Sequence, residues 1–157
     1  MKYKNLLLII LACLLMSCEA TGPKFKVSQE PVLNNALVYL YREDAFYLGG
    51  ADAYFYVNDV HIVDVGNNGY TSFYLPKGNY KLRQEWGVIA ADPIEFNMSL
   101  RAGQTVYYRI STRDSGPNAY RWKISQVSAE IGRKEISTTR YEKPFGINKL
   151  LHPEMER

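Results

Sequence analysis

From Ala36 onward the chain is written in short runs of alternating or apolar residues with turn residues between them, the pattern of a sandwich or barrel. The runs are Ala36–Tyr41, Ala53–Val57, His61–Val65, Tyr70–Leu75, Tyr80–Trp86, Ile94–Leu100, Thr105–Thr112 and Tyr120–Val127, eight candidate strands in all. Asn58-Asp59 suits a tight turn, and Gly66-Asn67-Asn68-Gly69 is a strong one, because Gly and Asn accept positive φ at low cost. Period two puts Ala53, Phe55 and Val57 on one face, and likewise Val106, Tyr108 and Ile110. The expected fold is mainly β, a sandwich of seven or eight strands.

After Val127 the period changes. Ser128 can N-cap a helix that opens at Ala129-Glu130-Ile131 and that Pro144 stops near Lys143, although Gly132 and Thr138-Thr139 weaken it. Residues 144–157 read as a tail, with no clear signal from Leu150 to Arg157. Leu75-Pro76-Lys77-Gly78-Asn79-Tyr80 resembles the corner of fibronectin-type and other immunoglobulin-like sandwiches, in which the tyrosine hydroxyl bonds backbone a few residues upstream. Leu100-Arg101-Ala102-Gly103-Gln104 is a looser version.

The N-terminus follows another pattern. Lys2 and Lys4 precede an apolar stretch from Leu6 to Met16, about eleven residues where a membrane span needs roughly twenty. Residues 1–17 therefore read as an export signal. Leu15-Met16-Ser17-Cys18 resembles the lipobox of bacterial lipoproteins, with a bulky Met16 at a permissive position. Ile10-Leu11-Ala12-Cys13 is a rival, but cleavage before Cys13 leaves a very short apolar core and strands Leu14-Leu15-Met16 on the mature chain. The resemblance implies diacylglycerol, with or without an amide-linked acyl chain, on Cys18; no other cofactor is expected. Two or more acyl chains hold firmly where one is marginal. Glu19 is not the aspartate that marks inner-membrane retention in enteric bacteria, and no acidic export run follows, so the outer membrane facing the periplasm is expected. Residues 18–35, with Gly22-Pro23 and Pro31, read as lipid anchor and tether to a domain over 36–143.

Composition removes several function classes. The net charge of +3 falls when Lys2 and Lys4 leave, and the remaining basic residues are scattered among acids, so nucleic acid is not an expected partner. Both cysteines lie in the first eighteen residues, so processing at Cys18 leaves no free thiol or disulfide. His61 and His152 have no paired ligands at metal-site spacing, and no metal site is expected. Asp44, Asp52, Asp59, Asp64 and Asp92 suit turns and strand edges; Ser72, Ser99 and Ser125 lie in no nucleophile elbow. No catalytic residue is assigned, and an envelope hydrolase using loop carboxylates is the least favoured reading.

The 13 tyrosines carry the remaining interest. Tyr39 and Tyr41 share one face of their strand, while Tyr54 and Tyr56 oppose Phe55 on theirs. Were the two strands neighbours, all four would line one sheet surface able to stack sugars or peptides, or would form a purely structural aromatic ladder.

Ala36-Leu37-Val38-Tyr39-Leu40-Tyr41-Arg42, the Leu75–Tyr80 corner and Ala102–Ile110 together resemble a family of bacterial envelope lipoproteins sharing a domain of unknown function. The resemblance spans about Ala36 to Tyr141 and implies an immunoglobulin-like or related sandwich with no established activity. The segment after Arg42, through Phe46-Tyr47-Leu48-Gly49-Gly50, departs from it as an extended loop. The expected function is a non-enzymatic, membrane-anchored interaction or assembly module. Its partner would be an envelope protein or, alternatively, a glycan or peptidoglycan component.

Overall fold

A computed structural model describes residues 20–26, 30, 32–46, 48–87, 92–111 and 122–156. The signal segment with Cys13 and Cys18 lies outside the described residues, as do Thr112 and Tyr120 at the ends of two expected strands. The chain runs β1 (Asn35–Arg42), β2 (Ala53–Val57), β3 (Val60–Val65), β4 (Gly69–Pro76), β5 (Gly78–Trp86), β6 (Ile94–Leu100), β7 (Thr105–Ser111) and β8 (Lys123–Val127). Then come helix α1 (Ala129–Ile136), β9 (Arg140–Tyr141), helix α2 (Ile147–Leu151) and a 3-10 turn, Pro153–Glu156. The strands form two sheets, β8-β7-β1-β4-β9 and β3-β2-β5-β6, which pack as a β-sandwich.

Strand β1 is central in its sheet, antiparallel to β4 and parallel to β7. Every residue from Ala36 to Arg42 is buried, which accounts for a run that is apolar or aromatic at both phases of the pleat. Its inward side chains Ala36, Val38 and Leu40 meet Phe55, Val57, Leu82 and Met98 of the facing sheet in the main core. Ala53, Phe55 and Val57 face inward as expected, and so do Val106, Tyr108 and Ile110.

The turns follow their residues. Asn58 and Asp59 both have positive φ, 47° and 64°, the geometry that twists with a two-residue hairpin between β2 and β3. At the β4–β5 corner the Tyr80 hydroxyl donates to the Pro76 carbonyl at 3.0 Å. Ser128 N-caps α1, its Oγ accepting from Ile131 N at 3.3 Å.

The C-terminal expectations need correction. Helix α1 ends at Ile136, not near Lys143, because the hydroxyls of Ser137, Thr138 and Thr139 turn back onto the Lys134, Glu135 and Ile136 carbonyls. Those bonds occupy acceptors that a continuing helix would use. Freed of the helix, Arg140-Tyr141 pairs in parallel with Gly69-Tyr70 as an edge strand. The expected tail is also part of the fold: α2 sets Ile147 and Leu150 against the core, and Phe145 N and Gly146 N both donate to Ile62 O.

The expected tether is likewise docked over residues 20–26. Ala20 is 3% exposed and its N donates to Asn67 O at 3.1 Å. Tyr141 N donates to Pro23 O, Phe25 N donates to Thr139 O, and Lys24 bridges Arg140 in antiparallel sense. This segment and α1 cover the outer face of the five-stranded sheet. Phe25 meets Tyr39 and Tyr70 edge-on at 5.8 and 5.4 Å. Gly132 gives α1 its closest approach, since a Cβ there would stand 2.4 Å from Tyr107 Cγ.

Candidate interaction face

The four expected tyrosines do not share a surface. Tyr39 and Tyr41 belong to the five-stranded sheet and Tyr54 and Tyr56 to the other, so the sandwich core separates the pairs. The idea of one continuous tyrosine surface is therefore corrected: β1 neighbours β4 and β7, and β2 neighbours β3 and β5.

Tyr39 and Tyr41 are covered. Tyr39 stacks on Tyr107 at 4.9 Å with planes 8° apart, and burial pushes its phenol up to about 12. Tyr41 is 0% exposed and donates to Glu135 Oε2 at 2.5 Å. Burial raises its pKa first, and the bond to the Glu135 carboxylate raises it further. Glu135 also accepts from Arg109 Nη1 at 2.9 Å, so one carboxylate of α1 is tied to two strands of the sheet below. A cleft of about 720 Å³ opens beside this latch, lined by Glu43, Asp44, Arg109, Lys134, Glu135 and Thr138 among others. Both Arg109 and Asp44 already have partners, Glu135 in the cleft wall and the buried Asn67. The arrangement fastens α1 to the sheet.

Tyr54 and Tyr56 stand on the outer face of the four-stranded sheet, and both are half-buried. Pairing in the sheet sets His61 and Arg83 on either side of Tyr56, and Asp64 and Glu85 on either side of Tyr54. The His61 ring stacks on Tyr56 at 4.6 Å, while the Arg83 guanidinium lies 4.1 Å from the same ring's centroid. Because β3 and β5 flank β2, these two groups cover opposite faces of the Tyr56 ring. Tyr54 lies across Gly87, where a Cβ would come within 2.3 Å of its hydroxyl oxygen. Charged pairs surround the rings, Arg83 with Glu85 and with Asp59 and Lys81 with Glu95 at 2.6 Å, and His61 Nε2 is hydrogen-bonded to Asp64 Oδ1 at 2.6 Å. Phe145, 59% exposed, meets the His61 ring edge-on at 4.9 Å.

The sequence puts Tyr54 and Tyr56 on one face of β2 and gives no account of what surrounds them. The alternation of Lys81, Arg83 and Glu85 along β5 was a usable signal, because it puts three charges on the face opposite Leu82, Gln84 and Trp86. Phe145 gave none, since its approach depends on a chain reversal after β9.

At the sandwich end where β1 finishes, Arg42 is 0% exposed. Its Nη1 and Nη2 donate to the Ala51 and Leu48 carbonyls, each at 2.5 Å, and its guanidinium lies 4.8 Å from the Trp86 ring and 5.3 Å from that of Trp122. Burial lowers its pKa to about 10, against the raising effect of Asp52 and Asp44. It clamps the loop after β1 from beneath. Among the described residues no three His, Cys, Asp or Glu side chains gather as metal ligands, and no helix is long and apolar enough to cross a membrane.

No curated protein and no solved structure matches the chain at a significant level. A family model does match, over residues 33–122, which takes in β1 through β7 and ends at Trp122 beside Arg42. It includes the whole β3-β2-β5-β6 sheet and leaves out β8, α1, β9 and α2. With more than half its length matched, the chain belongs to the family described as protein of unknown function, DUF2846.

Proposed function

We propose that this protein is a lipid-anchored lipoprotein of the bacterial envelope, attached through Cys18, which binds a protein partner on the outer face of the β3-β2-β5-β6 sheet. One observation carries the binding part: of the two outer sheet faces, this one bears, among the described residues, no helix or terminal segment across Tyr54, Tyr56 and Arg83 beyond the Phe145 contact at His61, while α1 and residues 20–26 cover the other. A half-exposed aromatic centre ringed by charged pairs suits a protein partner, since tyrosine and arginine supply contact area with polar tips. The charged pairs are at hand to exchange partners across an interface.

Sugar stacking needs a free ring face. Tyr56 offers none, with His61 on one side and Arg83 on the other. Tyr54, whose hydroxyl end packs over Gly87, is the observation that favours a glycan as the second reading. The anchoring part rests on the Leu15–Cys18 motif. The tethered domain would meet its partner at the raised effective concentration of a membrane surface.

Crosslinking and capture from native membranes tests the face. A stoichiometric protein captured by wild type and lost in both Tyr56→Ala and Arg83→Glu, at unchanged melting temperature, supports the reading. Capture indifferent to both variants refutes it. Co-sedimentation with peptidoglycan that is lost in Tyr54→Ala would move the assignment to the glycan. For the anchor, incorporation of a fatty-acid analogue should vanish in Cys18→Ser and persist in Cys13→Ser; the reverse result overturns Cys18.

A further inference from the structure

The docked N-terminal segment constrains how the domain can sit on a membrane. Were all of residues 18–35 a free tether, seventeen steps of extended chain would reach roughly 60 Å. Instead the chain is held between Ala20 and Phe25, through Ala20 N to Asn67 O, Tyr141 N to Pro23 O and Phe25 N to Thr139 O. Gly22 is packed so closely that a Cβ would fall 1.7 Å from the Tyr141 carbonyl oxygen. Only Glu19 separates Ala20 from Cys18, so the two Cα atoms stand at most about 7 Å apart. A lipid on Cys18 therefore holds the Asn67 end of the sandwich at the bilayer surface.

That end carries the loop after β1, and Asn67 joins the two. Asn67 Nδ2 donates to Asp44 Oδ1 at 2.6 Å, and Asn67 Oδ1 accepts from Ala45 N at 3.0 Å. The loop is folded on itself, with Gly49 N donating to Phe46 O and Ala51 N to Leu48 O. Arg42 fixes it from the core through the Leu48 and Ala51 carbonyls. On this built support Phe46 projects with a relative exposure of 106%, the highest of the large hydrophobic residues among those described. A loop held by a buried arginine and an asparagine bridge, yet presenting a bare phenyl ring, is organised for an apolar neighbour.

We propose that Phe46 inserts into the headgroup–acyl boundary of the bilayer that holds the Cys18 lipid, and that this second contact sets the domain's orientation. The occupant is the lipid surface because the chain leading to Cys18 ends within a few ångströms of the same asparagine that braces the loop. The Tyr54–Tyr56 face then stands to the side of the membrane contact, open to a neighbour in the same membrane. The inference rests on lipidation at Cys18, and the test separates the two.

The full-length protein is purified with its lipid and reconstituted into phosphatidylethanolamine–phosphatidylglycerol vesicles, with a polarity-sensitive fluorophore attached through Phe46→Cys or Lys77→Cys. Lys77 is exposed at the corner between β4 and β5, at the opposite end of the sandwich. The mature chain would have no other free thiol. The Phe46→Cys probe should shift to the blue and be quenched several-fold more strongly by spin-labelled lipid than the Lys77→Cys probe. Vesicle flotation with equal, water-like emission from both positions overturns the insertion and leaves the anchor standing. A blue shift that needs no vesicles and grows with protein concentration marks a self-contact and also overturns it. A protein that takes up no fatty acid at Cys18 overturns both readings.

Discussion

Replacing Tyr108 by Phe should stabilise the domain, whereas the same replacement at Tyr41 should weaken it. Both rings are 0% exposed, and both variants remove one oxygen from the interior. They differ in what the oxygen does. The Tyr41 hydroxyl donates to the Glu135 carboxylate, and a bond to a charged group contributes about 1.5–3 kcal/mol. The Tyr108 hydroxyl is buried with no hydrogen-bond partner among the described residues, and such an orphan costs about 1–3 kcal/mol. The ring itself is well placed, meeting Phe96 at 5.3 Å, and Phe would keep that contact. The two variants should therefore differ by about 4 kcal/mol, with wild type between them. For a chain of this size that is roughly 8–16 °C in melting temperature. Urea unfolding followed by fluorescence is the assay, read as a shift in midpoint at constant m. A loss above about 1 kcal/mol in Tyr108→Phe with m unchanged would refute the reasoning, because it would mean that the hydroxyl is satisfied.

Three further outcomes follow from buried groups. Stability should fall as pH rises from about 10 to about 12: burial pushes the Tyr39 and Tyr108 phenols up to about 12 and Tyr41 higher still, so the unfolded chain loses these protons first. Arg42, lowered to about 10, acts with the opposite sign over the same window, one group against three; urea midpoints measured across that range would show the net fall, and a flat profile would contradict it. Arg42→Ala should cost about 3–5 kcal/mol, since it strands two carbonyls and opens a gap between Trp86 and Trp122. Limited proteolysis should then cut within residues 43–52 first. Gly132→Ala, which would gain about 1 kcal/mol in an isolated helix, should instead destabilise by about 1–3 kcal/mol, because its Cβ would overlap the Tyr107 ring; calorimetry shows which term wins.

How much of this was legible in the sequence can be judged strand by strand. The eight long strands were readable because each carries its own period and is bounded by its own turn, as with Asn58-Asp59 or the Tyr80 corner. The ninth, Arg140-Tyr141, is two residues long and exists only because Gly69-Tyr70 offers an edge. Local pattern holds no trace of such a partner. Docking of residues 20–26 was hidden for the same reason. Ala20, Gly22 and Pro23 read as linker composition, yet Gly22 is there because only a residue without Cβ can lie against the Tyr141 carbonyl. The helix boundary was a different kind of failure. Pro144 reads as the stop, but the Ser137–Thr139 hydroxyls bond the last carbonyls well before it.

The tyrosines show why a face cannot be assigned from one strand alone. In β2 the polar-tipped rings alternate with Ala53, Phe55 and Val57, so one side is core and the other meets water or a partner. In β1 the same tyrosine alternation is set against Val38 and Leu40, and neither side carries a charge until Arg42. A strand that is apolar or aromatic at both phases needs a cover on both faces. For Tyr39 and Tyr41 that cover is α1 and the segment around Phe25. Read this way, the lack of charge in β1 was itself the sign that Tyr39 and Tyr41 would be enclosed. The charges of β5, opposite Tyr54 and Tyr56, were the sign that those two would stay open. The candidate face is thus better marked by Lys81, Arg83 and Glu85 than by the tyrosines that first drew attention to it.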